Sequence, residues 1–171
     1  MSRVTSVELE EEDVEYIERL MREGRVRSLK EFVEMCVKFG RQYTLDRWQK
    51  GLFDIGPVRI VFLPKKALDL LIERVEQEDH RDLGREMGEV IKSFALFQFQ
   101  TDTTKDWDSA LEIMSNFGWG QFSATDRDYI QIVSPALPSS LMKSYVESVL
   151  NVKLEPIQMK IDVQVFRILK D

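Results

Sequence analysis

Few side chains in this 171-residue chain are equipped for chemistry, and they favour one kind of site over the others. Cys36 and His80 are its sole thiol and imidazole. One of each cannot close a zinc site without several carboxylates, and a lone cysteine allows no intrachain disulfide. Cys36 falls on an apolar helical face and reads as a buried, inert thiol. His80 lies in the charged stretch 76–82 and reads as part of a solvated helix end. The pairs Asp106/Asp108 and Asp126/Asp128 fall at turns or helix starts, where carboxylates are solvated. There is no Ser-His-Asp set, Walker loop or GxGxxG pattern, and Gly84 with Gly88 makes only GxxxG, a spacing for close helix packing. No catalytic residue, metal or cofactor is expected. What remains is charge on a turn: Arg22, Arg25, Arg27 and Lys30, next to a serine that opens a helix. Basic residues that share one face can serve a nucleic-acid contact even where the surrounding charge is balanced.

The elements that position this turn are legible. Residues 4–9 alternate, with Thr5, Val7 and Leu9 on one face and Val4, Ser6 and Glu8 on the other, which predicts a short strand. The acidic run 10–13 suits the positive end of a helix dipole. Val14, Ile17, Leu20 and Met21 give that helix an apolar stripe, and Gly24 ends it. Ser28 followed by Glu31 is a capping box for a second helix, with Phe32, Val33, Cys36, Val37, Phe39 and Gly40 on one broad face. The helical pattern runs on through Tyr43, Leu45 and Trp48. A lone strand has no backbone partner, and two such helices bury little apolar surface. A homodimer in which two strands pair antiparallel and four helices share one core satisfies both.

These residues, VELEEEDVEYIERL, the turn at Gly24 and RSLKEFVEMCV, resemble the ribbon-helix-helix DNA-binding proteins of the Arc and MetJ class over residues 3–45. The resemblance implies that the paired strands enter the major groove of duplex DNA, with Val4, Ser6 and Glu8 facing the bases. It implies that the amides of Ser28, Leu29 and Lys30 clamp a phosphate, assisted by Arg25 and Arg27. Glu8 departs from the arginine, lysine or small polar residue usual at its position. A carboxylate can accept a hydrogen bond from cytosine but meets the negative field of the duplex. A module that only dimerises the rest of the chain is therefore the rival reading.

Net charge is −6 and the sequence pI about 5.0, against the basic balance usual for DNA binding. Residues 1–50 hold ten Lys/Arg against eleven Asp/Glu, so most of the acidity lies in the remainder. No leader pattern begins the chain and no apolar run reaches membrane-spanning length, so a cytoplasmic protein with no membrane partner is expected.

Residues 1–50 read as the dimerisation and DNA-binding domain, 51–56 as a connector, and 57–171 as a second domain that senses a ligand or controls assembly, including assembly beyond a dimer. In the second domain, 58–63 (VRIVFL) reads as a buried strand. Helices follow from Pro64, from Asp82 and from the region of Thr103 and Thr104. Residues 121–124 and 129–133 bracket a hairpin, another helix starts near Pro138, and 157–169 reads as one last strand. The fold class is α+β, with a mainly antiparallel sheet and covering helices. DLGREMGEVI and, later, NFGWGQF with its hairpin, helix and strand are similar to vinyl-4-reductase-type domains, which act as small-molecule sensors or assembly modules. The cysteines that many such domains carry near their end are missing. Phe94, Phe97, Trp107 and Trp119 are the candidate lining of a pocket for a small apolar ligand, weighed against an ordinary aromatic core.

Overall fold

The computed structural model describes residues 6–55 and 58–170, which fall into two compact units, Met1–Ile60 and Val61–Asp171. Among the described residues the architecture is α+β, with two antiparallel sheets.

In the first unit, Val4 and Thr5 of the expected strand lie outside the described residues, and residues 6–10 form no strand. Backbone pairing needs a second strand, and among the described residues this segment has none. Helix α1 (Glu11–Arg22) opens on Glu11, Glu12 and Asp13 and closes on Arg19 and Arg22, complementing its dipole at both ends. Ile17 and Leu20 are its buried residues. Its end is a Schellman motif: Arg25 N donates to Leu20 O at 2.9 Å and Gly24 N to Met21 O at 3.1 Å, with Gly24 at φ +69°. Helix α2 (Leu29–Gln42) follows, with Ser28 as its cap.

The helix does not run on to Trp48. Thr44 adopts φ +49°, a short 3-10 turn follows at Leu45–Arg47, and the chain folds back. The Thr44 hydroxyl and the Trp48 indole N–H both donate to the carbonyl of Asp54, at 2.9 and 3.1 Å, and the Trp48 ring packs edge-on against Phe53 at 5.0 Å. Strands β1 (Phe53–Ile55) and β2 (Val58–Ile60) then pair antiparallel, so part of the stretch read as a connector is a strand. The expected strand 58–63 is correspondingly shortened. Its first three residues pair locally, and Val61, Phe62 and Leu63 lie exposed.

The second unit begins with α3 (Lys65–Ile72), a short amphipathic helix with no buried residue. Its centre is the pair α4 (His80–Phe99) and α6 (Ser139–Leu150). The GxxxG spacing brings their backbones close: a Cβ at Gly84 would lie 2.4 Å from the carbonyl oxygen of Leu141, and one at Gly88 would lie 2.5 Å from Ser148 Cβ. The Ser148 hydroxyl donates to Arg85 O at 3.0 Å across the same crossing. Helix α5 (Trp107–Asn116) is capped by Asp106, whose carboxylate accepts from Ser109 N at 3.1 Å. Ala110, Leu111, Ile113 and Met114 are its buried residues.

The four-stranded sheet has the order β3 (Gln121–Thr125), β4 (Tyr129–Val133), β6 (Val163–Leu169), β5 (Lys153–Met159), all antiparallel. Residues 157–169, expected as one strand, are instead parts of two. Their alternation passes straight through a turn in which Lys160 N donates to Val163 O at 2.9 Å, and the ladder is irregular between Pro156 and Gln158. Phe122, Ile130, Ile132, Leu154, Gln164 and Phe166 alternate inward. They share a core with Met114, Leu141, Met142, Tyr145, Val146, Val149 and Leu150.

Candidate nucleic-acid interface

The Schellman turn delivers residues 25–28 directly to the start of α2. Val26 points inward and is buried, which leaves Arg25 and Arg27 exposed on either side of it. The expected capping box forms, with a variation. Ser28 Oγ accepts from Glu31 N at 3.1 Å, and Glu31 Oε2 accepts from the Arg27 amide at 2.6 Å rather than from that of Ser28. The amides of Ser28, Leu29 and Lys30 are therefore spared by both caps, and at a helix start they have no intrahelical acceptor. Three adjacent N–H groups at the positive end of a helix suit a phosphate oxygen.

Three of the four basic side chains around this turn are held on acids. Arg22 pairs with Glu18 at 3.6 Å, Arg25 with Glu23 at 3.7 Å and Lys30 with Glu34 at 3.6 Å, all in exposed positions. Arg27 has no ion pair among the described residues. Exposed pairs of this kind are worth less than about 1 kcal/mol, so a stronger anion can take the cation away. The acids are the part of the site that reading for basic residues overlooks, although the i,i+4 spacing of Glu18 to Arg22 and of Lys30 to Glu34 signals two of them.

Of the base-facing candidates, Val4 lies outside the described residues, while Ser6 and Glu8 are exposed. The face that should lie under them is open as well. Helix α2 has no buried residue: Phe32 and Val33 are half-buried, and Met35, Cys36, Val37 and Phe39 are exposed. Cys36, expected to be buried, is exposed, because nothing among the described residues covers its helix face. Tyr16 meets Phe32 edge-on at 6.1 Å, and that contact ties α1 to one edge of α2.

The four aromatics proposed for a ligand pocket occupy four settings. Phe94 is buried, edge-on to Phe99 at 5.5 Å and to Phe117 at 5.0 Å, which is core packing. Phe97 is exposed on α4. Trp107 donates its indole N–H to Thr104 O at 3.2 Å, and the Arg127 guanidinium lies 5.5 Å above its ring. Trp119 is half-buried before β3, and its carbonyl accepts from Ala136 N at 2.8 Å. No family model, no curated protein and no solved structure matches this chain.

Elsewhere, polar side chains in the second unit serve packing. His80, expected at a solvated helix end, is buried, with Nδ1 2.8 Å from the Ser140 hydroxyl, so it ties the start of α4 to the start of α6. The charged residues around it in sequence point outward from the same turn. Thr103 donates to Val149 O at 2.7 Å, and Gln164 Nε2 to Leu137 O at 3.3 Å. Burial pushes the Tyr145 phenol far above its ordinary range, so it stays protonated at any physiological pH. Among the described residues no group of three or more histidines, cysteines or carboxylates is arranged to hold a metal, and no helix is long and apolar enough to cross a membrane.

Proposed function

We propose that this chain is a homodimeric DNA-binding regulator that reads the major groove with a β-ribbon formed from two copies of residues 4–9. The observation that carries the reading is α2, a 14-residue amphipathic helix with none of its residues buried. An apolar face of that kind needs a cover. A second copy supplies one, and the same two-fold gives the unpaired segment before α1 its missing strand. In that arrangement Val4, Ser6 and Glu8 face base edges. The amides of Ser28, Leu29 and Lys30 take a backbone phosphate, while Arg25 leaves Glu23 to join Arg27 on it. The second unit acts as the sensing or assembly part and changes how two such heads are presented to DNA.

A second reading has its own observations. Glu8 at the groove-facing position and the Glu31 carboxylate at the start of α2 both oppose a polyanion. On that reading the first unit dimerises the second and touches no DNA. Sedimentation of the full chain, followed by duplex binding at two salt concentrations, separates the two. A dimer with salt-dependent binding supports the regulator, a dimer without binding leaves the clamp, and a monomer removes both.

A further inference from the structure

Charge is unevenly divided within the first unit. Residues 6–34 carry five Lys/Arg against ten Asp/Glu, whereas residues 35–53 carry Lys38, Arg41, Arg47 and Lys50 against Asp46 alone. All four cations are exposed. None of them forms an ion pair among the described residues, in contrast to Arg22, Arg25, Lys30 and Arg59, each held on an acid. The negative end of the α2 dipole accounts for Arg41, which stands in the last helical turn. It does not account for Arg47 and Lys50, which lie beyond the helix.

The backbone that carries these cations is tied down. Lys38 and Arg41 are three residues apart on α2, and helical spacing sets them on the opposite side from Phe32, Cys36 and Phe39. A second copy that covers the apolar face therefore leaves them open. Arg47 ends the 3-10 turn, which lies against the end of α2 and against β1. Lys50 stands at the tip of a tight turn in which Gln49 and Leu52 each donate an amide to the other's carbonyl at 2.9 Å. The Thr44 and Trp48 side chains pin the same segment to the carbonyl of Asp54.

We propose that Lys38, Arg41, Arg47 and Lys50 form a second contact for the phosphate backbone of duplex DNA, separate from the turn before α2. This rests on the DNA-binding reading of the first unit. At a rise of about 1.5 Å per residue, α2 sets the two basic sites roughly 20 Å apart, too far to share a phosphate. Charge complementarity identifies the partner. A cation already held on an acid must give up that pair to bind an anion, while these four give up only water. Duplex DNA offers a negative charge about every 1.7 Å along its axis, and each phosphate neutralised releases counterions. Contacts of this kind add affinity without sequence preference.

The test compares the full chain with a variant carrying Lys38→Gln, Arg41→Gln, Arg47→Gln and Lys50→Gln. Binding to a long random-sequence duplex is measured from about 50 to 200 mM salt. Loss of four phosphate contacts should lower the log–log salt slope by about three to four and weaken binding roughly tenfold or more at the lower salt. Sedimentation and helix signal should match those of the parent, and the sequences enriched from a duplex pool should stay the same. An unchanged slope and affinity overturn the second contact and leave the first site standing. Polyglutamate bound by the parent more tightly than the duplex, and lost in the variant, would make the partner an acidic protein and overturn the DNA assignment. A parent that binds no duplex at the lower salt overturns this contact together with the reading on which it rests.

Discussion

Replacing Gly84 with alanine places a methyl group against a backbone carbonyl, an obstacle that cannot rotate away. The new Cβ would stand 2.4 Å from Leu141 O and 3.0 Å from both Ser144 Cβ and Tyr145 N. Ordinary contact begins near 3.4 Å, so α4 and α6 must separate by about 1 Å along a crossing that buries Ile91, Ala95, Tyr145 and Val149. Overpacking of a well-filled core costs about 1–3 kcal/mol, and the rigid obstacle puts this site near the upper end. The better helix propensity of alanine returns about 1 kcal/mol, leaving a net loss of about 2 kcal/mol. A unit of this size has an unfolding entropy of about 0.23 kcal/mol/K, so the midpoint should fall by about 9 °C. Gly88→Ala meets Ser148 Cβ at 2.5 Å and Tyr145 O at 2.9 Å and should behave alike. The double variant should lose less than the sum, because both methyls push the same two helices apart. Thermal unfolding followed by circular dichroism reads all three. A midpoint unchanged or raised in Gly84→Ala would refute the close crossing.

The first unit and the exposed carboxylates yield four further expectations. Phe39→Glu introduces a charge into the open face of α2, where Phe39 stacks on Tyr43 at 5.5 Å, and should weaken dimerisation at least a hundredfold by sedimentation without loss of helix signal. Arg27→Ala removes a cation with no acid to release, so affinity should drop alike for all duplexes and the log–log salt slope should shrink by about one. Glu8→Ala should change which base pairs a selection enriches; an identical selected site from variant and parent would exclude Glu8 from the groove. The Lys105 ammonium and the Thr104 hydroxyl and amide hold the Asp102 carboxyl down to about 2. Because that value lies below the ordinary carboxylate range, the stabilisation is present above pH 4 and fades as pH falls towards 2. An NMR titration of the Asp102 side chain with its midpoint near 4 would contradict this.

How much was legible in the sequence depends on how local each signal is. The Gly24 stop, the cap at Ser28 and the hairpin around residues 125–129 are written in neighbouring residues, and the chain folds there as those residues dictate. The GxxxG of α4 is local too, although its partner helix lies more than fifty residues away. His80 reads as solvated because its sequence neighbours are charged, whereas it is buried against Ser140, sixty residues on. The run 58–63 reads as core by hydropathy, but a two-stranded hairpin engages its first half. Residues 157–169 keep one alternation across a turn, so period alone hides the reversal at 160–162. Phe94 and Phe97 look equivalent on a list of aromatics, but three residues of helix turn one into the core and the other to solvent. At the turn before α2, the free amides follow from the helix start, while Glu31 capping Arg27 rather than Ser28 is a detail of geometry that no spacing rule supplies.

The central claim is that a dimer of this chain holds duplex DNA through the turn before α2 and the segment before α1. Its most direct test is binding of the purified full chain to a random duplex pool at about 50 and 200 mM salt, with sequencing of the bound fraction. Binding should weaken steeply with salt and enrich a two-fold symmetric site. A protein confirmed as a dimer that binds no duplex at the lower salt would contradict it, and the first unit would then be a clamp joining two copies of the second.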